Sequence, residues 1–257
     1  MRNALAIAGK ELRSYFVSPI AYVVLTGFLL LGGWFFFNLL SRFNFLLSIY
    51  SAMRNPEAQM RLNLNEFVIS PLLHNLSVVL VIIIPMITMR SFAEEKRSGT
   101  YELLMTSPLS ITEIVAGKFL GALAFMLIMI GLTAVYPLIL LLYGNPEMGI
   151  IAAGYLGLLL LAIAFATVGL LTSSLTENQI IAAVSCLVVL LLLYVIAWPA
   201  ETAGPALGAV LKYLSLTEHF GEMVKGVIDT KDLVYFASVS LLALFLTHRS
   251  VESVRWR

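Results

Sequence analysis

Residues 14–41 read SYFVSPIAYVVLTGFLLLGGWFFFNLLS, and the nearest charges on either side are Arg13 and Arg42. A helix rises about 1.5 Å per residue, so about 20 such residues cross a hydrocarbon core. The run is continuous rather than alternating, which argues against the strands of a transmembrane barrel. Four more uncharged gaps are long enough to span: Glu66 to Arg90, Lys118 to Glu147, Glu147 to Glu177, and Glu177 to Glu201. A sixth, from Asp232 to Arg249, holds 16 residues and is marginal. It would have to snorkel its ends or thin the bilayer. The reading is an all-α integral membrane protein, one transmembrane domain over 1–257. Its six spans lie near residues 20–41, 69–90, 119–143, 149–173, 179–199 and 232–248.

Composition agrees. Of 257 residues, 60% are hydrophobic and 12% charged, where a soluble domain carries about 25% charge. Disordered chains are charge-rich and poor in apolar residues, so disorder is excluded. A formal charge of +1 leaves no basic surplus to neutralise phosphates, which argues against nucleic acid as a partner. The single cysteine, Cys186, excludes a disulfide scaffold.

Orientation follows from Lys and Arg. With both termini on one side, that side carries Arg2, Lys10, Arg13, Arg90, Lys96, Arg97, Lys118, Arg249, Arg255 and Arg257. The other carries Arg42, Arg54, Arg61, Lys212, Lys225 and Lys231. Ten against six puts both termini in the cytoplasm, together with the loops after spans two and four. The first apolar run is too long for a signal peptide. Residues 2–17 instead read as an amphipathic interfacial helix, with Leu5, Ala8, Leu12, Tyr15 and Phe16 on one face and Arg2, Asn3, Lys10 and Arg13 opposite. Ser18 and Pro19 supply an N-cap and first turn for span one. A simple basic flank is the plainer alternative.

The polar stretch 90–118 is the most patterned. Gly99 can stop the continuation of span two, and Thr100 can cap a short helix with Glu102 in its first turn. Pro108 ends that helix, and Ser110 with Glu113 fits a capping box that opens span three. Helix, stop, short helix, stop, helix is a rigid protrusion, suited to carry force from a partner. The plainer alternative is a charged loop that only anchors its flanks.

The segment Phe92-Ala-Glu-Glu-Lys-Arg-Ser-Gly-Thr-Tyr-Glu-Leu-Leu-Met-Thr-Ser-Pro-Leu-Ser resembles the cytoplasmic loop signature of ABC type-2 transporter permeases. It is nearest to the branch that includes the gliding-motility permeases. The resemblance extends to the six spans, the N-terminal helix and the long outer segment before span six. It implies a bacterial inner-membrane permease subunit for ATP-driven export, with 91–113 as the coupling loop. ATP and Mg would be bound by separate ATP-binding-cassette ATPase subunits, and no cofactor by this chain. A second permease, copy or paralogue, would complete the path, among membrane lipid and envelope or periplasmic proteins. The coupling residues it implies are Glu94, Glu95, Gly99, Thr100, Glu102, Leu104, Ser107 and Pro108. Gly99 and Pro108 would shape the helix, Thr100 and Glu102 would cap it or touch the ATPase, and Leu104 would pack into the ATPase. Tyr101 stands where the family often has an aliphatic residue.

Other chemistry is missing. Gly117-Lys118 ends like a phosphate-binding loop, but Thr112 and Phe119 break the motif. His74, His219 and His248 lie in different segments and form no H-E-x-x-H metal pair. Glu94-Glu95 lacks the Arg four residues on that prenyl-protein proteases place there, since Gly99 occupies it. An intramembrane enzyme is therefore the weakest alternative. No span centre carries Asp, Glu, Lys or Arg, which argues against ion-coupled transport. Pro85 and Pro137 either kink their spans or are tolerated. Gly117 and Gly121, like Gly27 with Gly32 and Gly33, permit close helix contact, as at a subunit interface. The outer segment 198–232 breaks at Pro199, Gly204 and Pro205. An amphipathic stretch with Leu207, Val210, Leu211, Leu214, Phe220, Met223 and Val224 follows, either re-entrant or lying in the interface. A membrane anchor that relays ATPase motion to envelope partners without transport shares the coupling loop, and the loop motif does not specify a substrate.

Overall fold

A computed structural model describes residues 2–53 and 62–254. Arg54, Arg61, Arg255 and Arg257, counted above for orientation, lie outside the described residues. Within them every regular element is helical, and six helices are long and apolar enough to cross a membrane. The chain is therefore an all-α multi-pass membrane protein.

Helix α1 (Arg2–Val17) precedes α2 (Pro19–Ala52), the first span. The Ser18 hydroxyl accepts from the Ile20 N–H and caps α2. This helix runs past Arg42 to Ala52, because one exposed arginine does not break a helix. At 34 residues it is about 51 Å long, more than a hydrocarbon core is thick. The second span is compound: a π turn (Asn65–Ile69), α3 (Ser70–Thr88) and α4 (Arg90–Arg97). The short α5 (Thr100–Thr106) follows.

The third span is also broken, into α6 (Ile111–Leu132) and α7 (Val135–Tyr143). Pro137 explains the break. It has no N–H and its ring crowds the carbonyl four residues back, that of Thr133. That carbonyl accepts from the Tyr155 hydroxyl at 2.9 Å. Pro85, by contrast, sits inside a continuous α3.

The fourth span, α8 (Met148–Leu175), is the hub. It packs on α3, α6, α9 (Gln179–Val195) and α12 (Thr230–Val254). Small residues let the neighbours in: a Cβ on Gly169 would lie 2.0 Å from Thr88 Oγ1. The sixth span corrects the sequence reading. Its helix has 25 residues, because Asp232 does not end it but is wholly buried within it.

Between spans five and six lie a 3-10 turn (Trp198–Glu201), α10 (Pro205–Leu214) and α11 (Leu216–Val224). The two helices differ. On α10, Leu207, Val210, Tyr213 and Leu214 are exposed. In α11, Phe220, Met223 and Val224 are buried against α8, where Gly157 admits Met223.

Helix α1 holds a second correction. Its inner face is Ala4, Ile7, Ala8, Glu11, Leu12, Tyr15 and Phe16, while Leu5 is exposed. The phase is set by Gly117 and Gly121 of α6. A Cβ on Gly117 would lie 2.9 Å from the Ala4 carbonyl, and one on Gly121 would lie 3.2 Å from the Ala8 carbonyl. That glycine pair seats a helix of the same chain, not a second subunit.

Candidate functional site

The protrusion formed by α4 and α5 is held from three directions. The first hold is a hydroxyl in the helix ladder. At Met89 the helix between α3 and α4 opens. Ser173 Oγ of α8 accepts from the N–H groups of Phe92 and Ala93, at 3.0 and 3.1 Å, and donates to the Met89 carbonyl at 2.9 Å. A side chain inserted into the ladder bends a helix. Ser173 thus makes an elbow and satisfies the groups the elbow exposes.

The second hold is Lys118 of α6, which is 2% exposed. An ammonium has three donors, and all are used. Nζ lies 2.8 Å from Glu11 Oε1 of α1, 2.8 Å from Glu95 Oε1 of α4, and 2.6 Å from the Ser91 carbonyl. It also stands 5.0 Å from the centre of the Phe92 ring. Lys10 approaches Glu95 at 4.0 Å, so two ammonium groups meet two carboxylates. Farther along, Asn3 Nδ2 donates to Glu113 Oε1 at 3.1 Å. Tyr15 lies in this layer, and burial first, then the Glu11 charge, pushes its hydroxyl pKa above the usual phenol value.

The third hold is an apolar plug beneath α5. Phe92, Tyr101, Ile114, Val115, Leu170 and Val251 form a buried cluster, with Leu104 packed against it. Tyr101, the departure from the family pattern, therefore faces inward. Burial, then the neighbouring Glu95 charge, raises its pKa to about 12.

The sequence-derived residues are divided by this geometry. Gly99 sits at φ +72°, a conformation that glycine adopts without a steric penalty. Gly99, not Thr100, is the N-cap of α5. Thr100 Oγ1 instead hydrogen-bonds with Ser98 Oγ (2.9 Å) and donates to the Glu95 carbonyl (3.4 Å). Ser107 Oγ donates to the Leu104 carbonyl at 2.6 Å, and its extended backbone, as suits a residue before proline, leads into Pro108. Ser110 and Glu113 form the reciprocal capping box of α6. Glu94 is exposed and pairs with Arg90 at 3.1 Å. Glu95 points inward to Lys118, and Leu104 is half-buried. Glu102 and Leu103 point outward in the middle of α5, the latter 71% exposed, and Thr100 and Thr106 are exposed at its ends. Leu103 was missed, although helical spacing from Tyr101 to Leu104 already separates an inner face from it.

Beside α5 opens a polar cleft of about 460 Å³, walled by α5, the turn after α8, and the end of α12. Its floor is the Ser174 carbonyl, left unpaired by the end of α8. Lys96 Nζ donates to it, and so does Ser250 Oγ, at 3.2 Å. Among the described residues no group of three His, Cys, Asp or Glu side chains is placed to hold an ion.

A second polar centre lies at the opposite end of the bundle. His219 Nδ1 is 2.7 Å from Asp232 Oδ1, and Nε2 is 2.9 Å from the Tyr213 carbonyl. The ring stacks on Tyr235 at 3.9 Å. His219 and Asp232 read as unrelated in sequence, 13 positions apart. The fold brings them together and ties α11 to α12. His74 is half-buried against Phe220, its Nδ1 2.9 Å from the Ser70 carbonyl.

Comparison with curated proteins gives no match. The family model described as ABC-2 family transporter protein matches residues 5–248. That range takes in nearly all of α1, the whole α4–α5 protrusion and almost all of the six spans. The chain therefore belongs to the ABC-2 family of transporter proteins and is a permease component of an ATP-binding-cassette transporter.

Proposed function

We propose that the chain is the permease subunit of an ATP-driven exporter and that α5 is its coupling helix. The reading places both termini and the α5 side in the cytoplasm of a bacterial cell, at the inner membrane. A separate ATPase subunit binds ATP and Mg, and a second permease, copy or paralogue, completes the path. The wording of residues 92–110 puts the chain nearest the gliding-motility-type branch.

The observation that carries this is the set of contacts that tie the protrusion to the bundle. A flexible loop would absorb a push from below. Here α5 stands on a buried aromatic plug, and α4 is pinned by Ser173 to span four and by Lys118 to α1 and span three. Displacement of α5 by closing ATPases is thereby delivered to three spans and the N-terminal helix at once. Glu102 and Leu103 face outward for contact with the ATPase. Gly99, Thr100, Ser107 and Pro108 shape the helix, while Glu95 and Leu104 hold it to the bundle. Glu94, exposed beside Arg90, borders the contact.

The test is reconstitution with the cognate ATPase subunit. Leu103→Asp puts a charge into the proposed contact while leaving the plug intact. We expect ATPase retention to fall at least tenfold, with unchanged thermal stability of the isolated permease. Full retention and full transport in this variant would remove α5 as the coupling helix.

A further inference from the structure

A hollow of about 500 Å³ opens between spans three and six at the α5 end of the bundle. Its walls are Val115, Ala116 and Phe119 of α6 and Leu241, Leu244 and Phe245 of α12. Leu241 and Phe245 are exposed, so it opens sideways from the bundle. Its rim is polar and includes Thr112, His248, Arg249 and Glu252. Arg249 is the first charge after the uncharged run of span six, so the rim lies where that span leaves the hydrocarbon. Leu241 sits two turns deeper, about 12 Å along the helix.

The rim charges are arranged as a pair. Arg249 Nη1 lies 2.8 Å from Glu252 Oε2, and the guanidinium stands 5.3 Å from the centre of the Phe245 ring. His248 Nδ1 is 4.0 Å from the same carboxylate oxygen. His248 Nε2 and Thr112 Oγ1 share a hydrogen bond at 3.3 Å, which ties the two walls together. Among the described residues, both contacts of Glu252 fall on Oε2, which leaves Oε1 open. A guanidinium has five donors, and Arg249 directs only Nη1 to Glu252. Open donors beside an open acceptor, at the head of an apolar hollow, complement an amphiphile that carries an anion and a cation side by side.

We propose that the hollow binds a phospholipid whose headgroup carries a primary ammonium next to its phosphate. An acyl chain lies along Phe119, Leu241 and Phe245. The phosphate meets Arg249 and the ammonium donates to Glu252, so the charges alternate around the rim. An acidic lipid has no cation for Glu252, and a quaternary ammonium has no N–H to donate. A helix is about 10–12 Å across, too wide for a hollow of this volume, which favours a single hydrocarbon chain over a span of a second subunit. The site stands on the fold and does not depend on α5 being the coupling helix. It adjoins α5 all the same: Val115 is buried in the plug beneath that helix, and Phe119 and Leu244 pack against the plug. A bound chain covers the outer side of the plug and steadies it.

The experiment titrates the purified full-length permease in detergent with dioleoyl lipids and counts bound lipid by native mass spectrometry. Phosphatidylethanolamine, phosphatidylcholine and phosphatidylglycerol are compared, since they differ only in headgroup. We expect phosphatidylethanolamine to bind about tenfold more tightly than either of the others, through its charge-assisted hydrogen bonds, and to raise the unfolding temperature. Glu252→Gln should unfold as the parent does without lipid, should still bind phospholipid, and should lose the preference over phosphatidylcholine. Ala116→Phe, which fills the hollow from its wall, should weaken binding of all three. Phosphoethanolamine without acyl chains should not compete. Equal binding of the three lipids, a preference for phosphatidylglycerol, or a preference that survives Glu252→Gln overturns the proposal. So does competition by phosphoethanolamine at the lipid's own concentration, which would place the ligand outside the hollow. If Ala116→Phe dissolves a permease dimer and leaves lipid binding unchanged, the hollow belongs to a second copy of the chain and the lipid proposal falls.

Discussion

Lys118 carries more structure than any other single residue on the α5 side. In sequence it is a boundary charge at the foot of span three, and nothing local shows its partners. Glu11 lies 107 positions away, beyond the reach of any periodicity argument. Glu95 is adjacent in sequence to an exposed acid of the same type, so only the fold could separate their roles. An unpaired charge in this layer would cost several kcal/mol, and the network is the reason it does not. Lys118→Met should leave Glu11 and Glu95 facing each other with only the exposed Lys10, 4.0 Å from Glu95, as a cation, and destabilise the chain by about 3–5 kcal/mol. Thermal unfolding in detergent measures this. Replacing the whole set, Lys118→Met with Glu11→Gln and Glu95→Gln, should recover most of the loss, because removing a complete buried ion network is often near neutral. A triple variant no more stable than the single one would show that the cluster is not the cause.

At the level of elements, the punctuation was readable and the bends were only partly so. Gly99, Pro108 and the Ser110–Glu113 box announce themselves, because turn and cap chemistry is local. Pro85 and Pro137 look alike locally, yet only Pro137 breaks its span. The elbow at Met89 has no local signature: its cause, Ser173, sits on another span, and the nearby Pro85 points to the wrong place. The phase of α1 differs for a related reason: periodicity puts Leu5 on the apolar face, but Gly117 and Gly121 fix which face can approach. The elbow makes a definite prediction. Ser173→Ala keeps the packing but orphans two N–H groups and a carbonyl, and each buried orphan costs about 1–3 kcal/mol. Amide exchange should quicken at Phe92 and Ala93 first, ahead of α3 and α6. Uniform exchange across all spans would mean that Ser173 is ordinary packing. Gly169→Ala, one turn earlier on α8, should strain the same joint from the other side. Its new Cβ would fall 2.7 Å from Thr88 Cβ as well as on its hydroxyl.

Across the whole molecule, two polar anchors sit at opposite ends of an apolar bundle. The Lys118 layer fixes the α5 end, and the His219–Asp232 pair fixes the other. The sequence laid out the bundle itself, because uncharged length is what crosses a membrane. It missed the second anchor because Asp232 looked like the end of span six. The fold absorbed that charge by pairing it instead of expelling it. The carbonyl of Tyr213 can only accept, so the Nε2 hydrogen of His219 points to it, and Nδ1 and Asp232 Oδ1 share the other hydrogen bond. One imidazole thus ties α10, α11 and α12 together at the mouth of the bundle. His219→Ala leaves Asp232 buried without its partner, which should cost about 3–5 kcal/mol. The loss should be spent locally: amide exchange in residues 205–224 should rise by at least tenfold while α8 and the Lys118 layer keep parental protection. Asp232→Ala on the His219→Ala background should restore part of the stability, since the stranded carboxylate is then gone, but should leave α10 and α11 loose. If the double variant regains parental protection at 205–224, the pair contributes nothing to holding the outer helices, and the packing of Phe220, Met223 and Val224 on α8 does that alone.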